Sequence, residues 1–267
     1  MESNKNPIAA RKLIETLASK GRYSFTSEEA REALKVSPAA SKLALNRLAR
    51  QGQIASPARG FYVIVPPEYR SLGCLPAEQF IPDLMKTKDL NYYAGLLTAA
   101  QYYGAAHQRP QEFQVFVQKN RRQIHCGKVR VKFIARKNID DVPIRKFNTS
   151  RGKLSVSTPE GTAIDLAGYP EHAGGLENVA TVLSELANEI DTSALVKVAA
   201  MAPITWVQRL GYMLELVDAK NPAAGLRDYV AQHAREYTML IPGQKNEGGQ
   251  RLQDWKLVIN AGLEPDI

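Results

Sequence analysis

The first quarter of the chain carries three short helical patterns followed directly by two strand patterns, and this order limits the possible folds more than any other feature. A helix from about Pro7 to Ser19 is indicated by its apolar spacing and by Gly21 just after it. Thr26, followed by Glu29 three residues later, is a capping signal for a second helix over Ser27–Leu34. Two short helices joined in this way predict the first half of a DNA-binding motif.

The third helix and the residues after it complete the pattern. Ser37 is placed to cap a helix that has Pro38 at its first position and stops at Gly52. After Gly52 the apolar period changes, and residues 53–56 and 60–65 read as two strands around a short turn. Three helices followed by a hairpin predict a winged helix-turn-helix domain over residues 1–66.

The third helix has one apolar side and one side that offers hydrogen-bond donors. At about 100° per residue, its core-facing positions are Ser41, Ala44, Leu45 and Leu48. Small residues near the start of a helix let it enter the major groove, and Lys, Asn and Arg supply donors to bases and phosphates. The candidate DNA contacts on this helix are Ser37, Ala39, Lys42, Asn46, Arg47 and Arg50.

The hairpin adds one more candidate contact. Arg59 lies at the tip of the expected wing, beside Gly60, where a long cation can enter the minor groove. Phe61 and Tyr62 have the rings to stack on bases, but strand alternation makes one of them a core residue, and we expect mainly core roles for the two. The alternative for every one of these residues is an ordinary solvated surface position.

Charge is distributed unevenly along the chain. The net charge is +8 in total, being +6 over residues 1–70, +7 over residues 71–150 and −5 over the remainder. A basic N-terminal part followed by an acidic C-terminal part is typical of a nucleic-acid-binding domain followed by a second domain. No stretch has the length and apolar character of a membrane span, and the N-terminus shows no signal-peptide pattern. Together with only two cysteines, Cys74 and Cys126, this predicts a reduced, cytoplasmic protein.

The rest of the chain predicts an α+β protein with a linker over residues 67–80 and a larger mixed α/β domain over residues 81–267. A helix is expected over Asn91–Gly104. The expected strands that follow are Phe113–Val117, Val129–Ala135, Val142–Phe147 and Lys153–Ser157. The expected helices are residues 158–168, 176–189, 193–201, 203–217 and 222–233.

The middle of the chain contains a possible second basic patch. Ten basic residues occur between Lys119 and Lys146. Within them, Arg130 and Lys132 share one face of an expected strand, and Arg121 and Arg122 fall in the turn before it. These four residues predict either a second set of phosphate contacts or a docking face for RNA or an acidic partner.

Signals for catalysis are weak. The sequence lacks a phosphate-binding loop, a dinucleotide-binding fingerprint, a zinc-protease helix and a nucleophile elbow. The four histidines are scattered, and Cys126 beside His125 is interpreted as structural, so no metal, cofactor or catalytic residue is predicted. An Mg²⁺-dependent nuclease is the alternative, with Asp140, Asp141, Glu160 and Asp165 as its carboxylates. However, Asp140 and Asp141 precede Val142–Pro143 as turn residues normally do, and Glu160 fits a helix N-terminus, so the structural explanation is favoured.

At this point the sequence resembles a known family. The stretches LARQGQI at residues 48–54 and RGFY at residues 59–62 resemble the winged helix of AbiEi proteins, the antitoxins of abortive-infection type IV toxin–antitoxin systems. YAGLLTAA at residues 93–100, VSTPEGTAIDL at residues 156–166 and GGL at residues 174–176 resemble the C-terminal domain of the same family. Of all these stretches, VSTPEGTAIDL is the most specific motif.

The resemblance implies a protein with two tasks. The winged helix would bind inverted repeats in the promoter of its own operon and repress it. The C-terminal domain would counteract a nucleotidyltransferase-like toxin of the same operon, without need of a stable complex. The other hypotheses are the nuclease and an adaptor that only docks a protein partner.

Overall fold

The computed structural model describes residues 6–105, 110–244 and 249–264. Their contacts divide the chain into two compact units. The first comprises Met1–Tyr92, Gln111–Lys137 and Lys146–Ser155; the second comprises Tyr93–Pro110, Asn138–Arg145 and Val156–Ile267. The predicted α+β class is confirmed, since a helical N-terminal region with a small sheet precedes a larger mixed part.

The N-terminal region has the predicted three helices and hairpin. Its elements are α1 (Asn6–Ser19), β1 (Ser24–Thr26), α2 (Ser27–Leu34), α3 (Pro38–Arg50), β2 (Ile54–Ala58) and β3 (Phe61–Ile64). The three strands form an antiparallel sheet in the order β1-β3-β2. The short strand β1 was not predicted from the sequence. A core of Ala10, Ile14, Phe25, Ala30, Ala44, Leu45, Leu48, Ile54 and Ile64 lies wholly within this region.

The first unit continues beyond the wing. A 3-10 turn at Pro67–Tyr69 leads to α4 (Ala77–Thr87), and the strands β5 (Phe113–Val117), β6 (Ile124–Cys126) and β7 (Val129–Ala135) follow later in the chain. β7 pairs in parallel with β5 and antiparallel with β6. A second core joins the wing residues Phe61 and Val63 to Cys74, Leu75, Phe80, Ile81, Leu84, Met85, Val115, Val117, Ile124, Cys126, Val129 and Val131.

The helix predicted over Asn91–Gly104 is wrong in its first part. Residues Tyr92–Ala94 form a strand, β4. A shorter helix, α5 (Leu96–Tyr102), begins after it, where the backbone changes direction. Leu96 has a φ of +52°, outside the helical region, so a continuous helix cannot pass through it. Ala94 pairs instead with Val156, which places β4 parallel to β9 (Gly152–Ser157).

The expected strand Val142–Phe147 is shifted. A 3-10 turn at Ile139–Asp141 precedes the strand, which runs as β8 over Ile144–Thr149. The second unit is otherwise mainly helical. Its helices are α6 (Pro159–Gly168), α7 (Leu176–Leu186), α8 (Thr192–Ala199), α9 (Ile204–Leu216) and α10 (Lys220–His233). These match the predicted helices to within a few residues.

A small sheet near the end of the chain was not predicted. The strands β10 (Thr238–Met239), β11 (Gln250–Leu252) and β12 (Leu257–Ile259) form it, with β12 in the centre. Among the residues that the structure describes, no helix combines the length and apolar character needed to cross a membrane.

Candidate nucleic-acid interface

Local hydrogen bonds fix both ends of α2 and the start of α3. The Thr26 hydroxyl accepts from the backbone N–H of Glu29 at 3.1 Å, and the Glu29 carboxylate accepts from the N–H of Thr26 at 2.7 Å, which is a complete capping box. Lys35 ends α2 in the left-handed conformation with a φ of +52°. Ser37 then caps α3 by accepting from the N–H of Ala40 at 3.3 Å. Ser37 therefore has a structural role, whether or not it also contacts DNA.

The two sides of α3 are as predicted. Its core side is buried and consists of Ser41, Ala44, Leu45 and Leu48. The candidate contacts Ala39, Lys42, Asn46, Arg47 and Arg50 are all exposed. The structure therefore leaves one long side of α3 open to a partner.

Leu43 is the residue of this open side that the sequence reasoning missed. Its side chain is 53% exposed, and on the helix it lies between Ala39, Asn46 and Arg50. An apolar side chain at the centre of a groove-reading helix suits contact with the methyl group of thymine. The available signal was its position on the helical wheel, where it falls opposite the core residues.

The wing is anchored to the helices at its tip. The backbone N–H of Ser27 donates to the carbonyl of Gly60 at 2.9 Å, and Gly60 has a φ of +76°, which favours glycine. Phe61 is buried and Tyr62 stacks on Phe25 with ring centroids 5.6 Å apart, so both rings serve the core as predicted. The Arg59 side chain remains exposed beside them.

Two grooves flank α3, and each contains cations. The groove towards the wing has a volume of about 470 Å³, and its charged lining residues are Lys42, Arg59, Arg31 and Glu28. The groove towards α1 has a volume of about 440 Å³, and its charged lining residues are Arg47, Arg11, Lys12 and Glu15. Each groove therefore holds three cations and one carboxylate, an excess of positive charge along both edges of α3.

The cations of α3 and the wing differ in their pairing from Arg31 of α2 and from Arg22, which precedes β1. Arg31 binds Glu28 at 3.2 Å, and Arg22 binds Glu29 at 2.6 Å. Within the described part of the chain, no carboxylate pairs with any of the cations at the candidate interface, which are Lys42, Arg47, Arg50 and Arg59. Unpaired exposed cations are free to replace the counterions of a phosphate backbone.

The second basic patch is only partly assembled. Arg130 and Lys132 share one face of β7, as predicted, and Arg121 and Arg122 are exposed in the connection before β6. The guanidinium of Arg130, however, lies 3.2 Å from the Nδ1 atom of His125 and hydrogen-bonds to it across the antiparallel pair of β7 and β6. Lys132 is half-buried. Arg121 and Arg122 are thus the more accessible half of the patch.

The carboxylates of the nuclease alternative do not converge. Glu160 is buried and accepts a hydrogen bond from the backbone N–H of Asp191 at 3.0 Å, at the start of α8. Asp165 is fully buried and accepts from the Tyr93 hydroxyl at 2.8 Å. Asp140 and Asp141 are exposed in the 3-10 turn. Among the described residues, no three His, Cys, Asp or Glu side chains are grouped so that they could hold a metal ion.

The same contacts explain the motif at residues 156–166. Thr158 caps α6 through the N–H of Gly161 at 3.3 Å, and the hydroxyls of Ser157 and Thr162 lie 2.7 Å apart. Tyr103 donates from its hydroxyl to the carbonyl of Ser157 at 2.8 Å. Burial raises the pKa of Tyr103 to about 12, so this hydroxyl keeps its proton over the physiological range. The polar residues of the motif therefore hold α6 in place within the second unit.

Both cysteines are buried. Cys126 lies in β6 with its side chain buried, whereas its neighbour His125 is exposed, so the two side chains do not form a Cys–His site. His107 lies outside the described residues.

Comparison with known protein families gives two matches. Residues 93–216 match the AbiEi antitoxin C-terminal domain. Residues 12–65 match the family described as transcriptional regulator, AbiEi antitoxin. These two segments include the candidate interface and the motif at residues 156–166.

The fold is also found in a solved structure. The crystal structure of the RV2827C protein from Mycobacterium tuberculosis superposes with a TM-score of 0.67 over 94% of this chain and 91% of that chain. The two sequences are 17% identical, so the likeness concerns the fold alone. Comparison with curated proteins gives no significant match.

Proposed function

Since this chain belongs to the AbiEi antitoxin family, we propose that it is a sequence-specific DNA-binding repressor of its own operon and the antitoxin to a nucleotidyltransferase-like toxin encoded there. It acts in the cytoplasm, without cofactor or metal and without catalysis of its own. The winged helix-turn-helix domain is assigned to residues 1–66, the linker to residues 67–80 and the antitoxin domain to residues 81–267. The target is double-stranded DNA with inverted repeats.

The observation that supports DNA binding most strongly is the arrangement of charge around α3. Its exposed side presents Asn46 and Leu43 for base contacts, and Lys42, Arg50 and Arg59 carry charges that no described carboxylate neutralises. In an ordinary solvated surface, cations are commonly interspersed with acids. On α3 the basic residues stand without acids, since the helix has the sequence PAASKLALNRLAR.

DNA binding is tested with mobility shifts on the promoter DNA upstream of the gene. We expect Lys42→Ala, Asn46→Ala and Arg50→Ala each to weaken binding. A lost base contact costs about 5- to 150-fold, the equivalent of about 1–3 kcal/mol, and relaxes the sequence preference. A lost phosphate contact weakens binding to all sequences alike.

A matched control is Lys197→Ala, which removes one exposed positive charge from α8. We expect this variant to bind promoter DNA as the unaltered protein does. Circular dichroism should show that all four variants are folded. Unchanged affinity in all three α3 variants would exclude α3 as the recognition helix.

The antitoxin role is tested separately by co-expression with a nucleotidyltransferase-like reading frame from the same operon. We expect the full-length protein to restore growth. Asn46→Ala should still restore growth while failing to repress the promoter, because toxin control is assigned to the second domain. Growth inhibition that persists in the presence of the unaltered protein would contradict the antitoxin assignment.

A further inference from the structure

Two segments of the first unit run side by side in opposite directions. The backbone N–H of Lys128 donates to the carbonyl of Leu72 at 2.8 Å. Gly73 follows Leu72 and Gly127 precedes Lys128. These two glycines are so close that a Cβ atom on Gly127 would lie 2.8 Å from the Gly73 Cα atom. As the numbering rises in one segment it falls in the other, which is an antiparallel register.

The next pair in this register is Cys74 and Cys126. Each cysteine adjoins the Gly73–Gly127 contact, and the two thiols are within hydrogen-bonding distance of each other. A disulfide requires the same kind of close approach, with Cα atoms about 4.4–6.8 Å apart. Both side chains belong to the same core. These are also the only two cysteines of the chain, so neither has a competing partner within it.

The two thiols are not equivalent. A hydrogen bond between them raises the pKa of Cys74, and burial adds to that rise. The same hydrogen bond lowers the pKa of Cys126, against the effect of burial and with help from a bond donated by the backbone N–H of Ser56. Cys126 is also 7% exposed, whereas Cys74 is 0% exposed. Cys126 is therefore the thiol that a peroxide reaches first.

We propose that Cys74 and Cys126 form a redox-active pair, which a hydroperoxide converts into an intramolecular disulfide. The Cys126 thiolate attacks the peroxide and its O–O bond breaks. With hydrogen peroxide this gives a sulfenic acid on Cys126 and, after protonation of the leaving hydroxide, one water. The Cys74 thiol then attacks the Cys126 sulfur, and the sulfenic oxygen leaves as a second water. Two thiols are oxidised and one peroxide is reduced.

The reaction takes place beside the wing. Ser56, which donates to the Cys126 sulfur, belongs to β2, one of the two wing strands. In the disulfide, Cys126 no longer forms the thiolate that this N–H stabilises, and it is joined covalently to the segment that precedes α4. The inference concerns thiol chemistry and does not rest on the proposed function.

Hydrogen peroxide is added to the folded full-length protein, which is then unfolded, alkylated and weighed by mass spectrometry. We expect two alkylated thiols before treatment and none afterwards, with a mass lower by two hydrogen atoms and full reversal by dithiothreitol. The oxidised protein should also melt at a higher temperature, because the cross-link restricts the unfolded chain. Two alkylatable thiols remaining after prolonged treatment would overturn the proposal.

Single variants separate this pair from incidental oxidation. In Cys74→Ser, the sulfenic acid on Cys126 has no resolving thiol and should be trapped by dimedone. In Cys126→Ser, Cys74 should remain unlabelled. If circular dichroism shows that either serine variant is unfolded, the corresponding alanine variant is used instead. Equal labelling of both variants, or cross-linking only between molecules, would refute the assigned roles.

Discussion

Replacing Gly127 by alanine should destabilise the first unit strongly, because the new methyl group meets backbone rather than a movable side chain. Its Cβ atom would lie 2.2 Å from the Leu72 carbonyl oxygen and 2.8 Å from Gly73. Gly127 also has a φ of +58°, a conformation that costs an alanine about 1–2 kcal/mol. Overpacking of this kind costs about 1–3 kcal/mol more. The expected loss of unfolding free energy is therefore about 2–5 kcal/mol.

Gly52→Ala is the matched control. Gly52 has a φ of +67°, but nothing lies within 4 Å of the Cβ atom that alanine would add. Only the conformational cost of about 1–2 kcal/mol remains, and the gain from a stiffer unfolded chain is common to both variants. Since about 1 kcal/mol shifts the melting temperature of a domain of this size by about 2–4 °C, Gly127→Ala should melt clearly below Gly52→Ala.

Thermal and urea unfolding followed by circular dichroism measure both variants. If Gly127→Ala loses no more stability than Gly52→Ala, the segments around Gly73 and Gly127 are not in backbone contact. The opposition of Cys74 and Cys126 would then lose its structural basis, and the reasoning from register would be refuted.

Two further predictions concern charge and domain structure. If the second basic patch contacts DNA, replacing all four of its residues by alanine should reduce the slope of log affinity against log salt by about 0.9 per lost phosphate contact; an unchanged slope would assign the patch to another partner or to solvent. The fragment 1–66 should show a helical circular dichroism spectrum, because one core lies wholly within it. It should unfold at a lower urea concentration than the full chain, because Phe61 and Val63 lose the apolar residues that pack on them. A fragment without helical structure would contradict the domain boundary at residue 66.

The features that the sequence predicted well are those decided by near neighbours. The caps at Thr26 and Ser37 and the two sides of α3 follow from residues three or four positions apart, so they are visible in the sequence. The exposed side of α3 was predictable for the same reason, apart from Leu43. Its exposure contradicts the rule that leucine belongs to the core, and only the wheel position reveals it.

The features that were missed depend on distant partners. The strand at Tyr92–Ala94 is only three residues long and pairs through Ala94 with Val156, while its apolar residues also suit a helix. The helix Ala77–Thr87 begins inside the predicted linker and contains Pro82, which made a helix an unfavourable prediction. The opposed cysteines are far apart in the sequence, and no local pattern indicates that they meet.

The first unit is built from three separate stretches of the chain. This affects its folding during synthesis on the ribosome. The wing leaves the ribosome early, but residues that cover Phe61 and Val63 extend as far as Val131. At a synthesis rate of about 5–20 residues per second, Val131 follows Val63 by roughly 3–14 s. During that interval the nascent wing exposes an apolar surface, which makes it a target for the chaperones that act on growing chains.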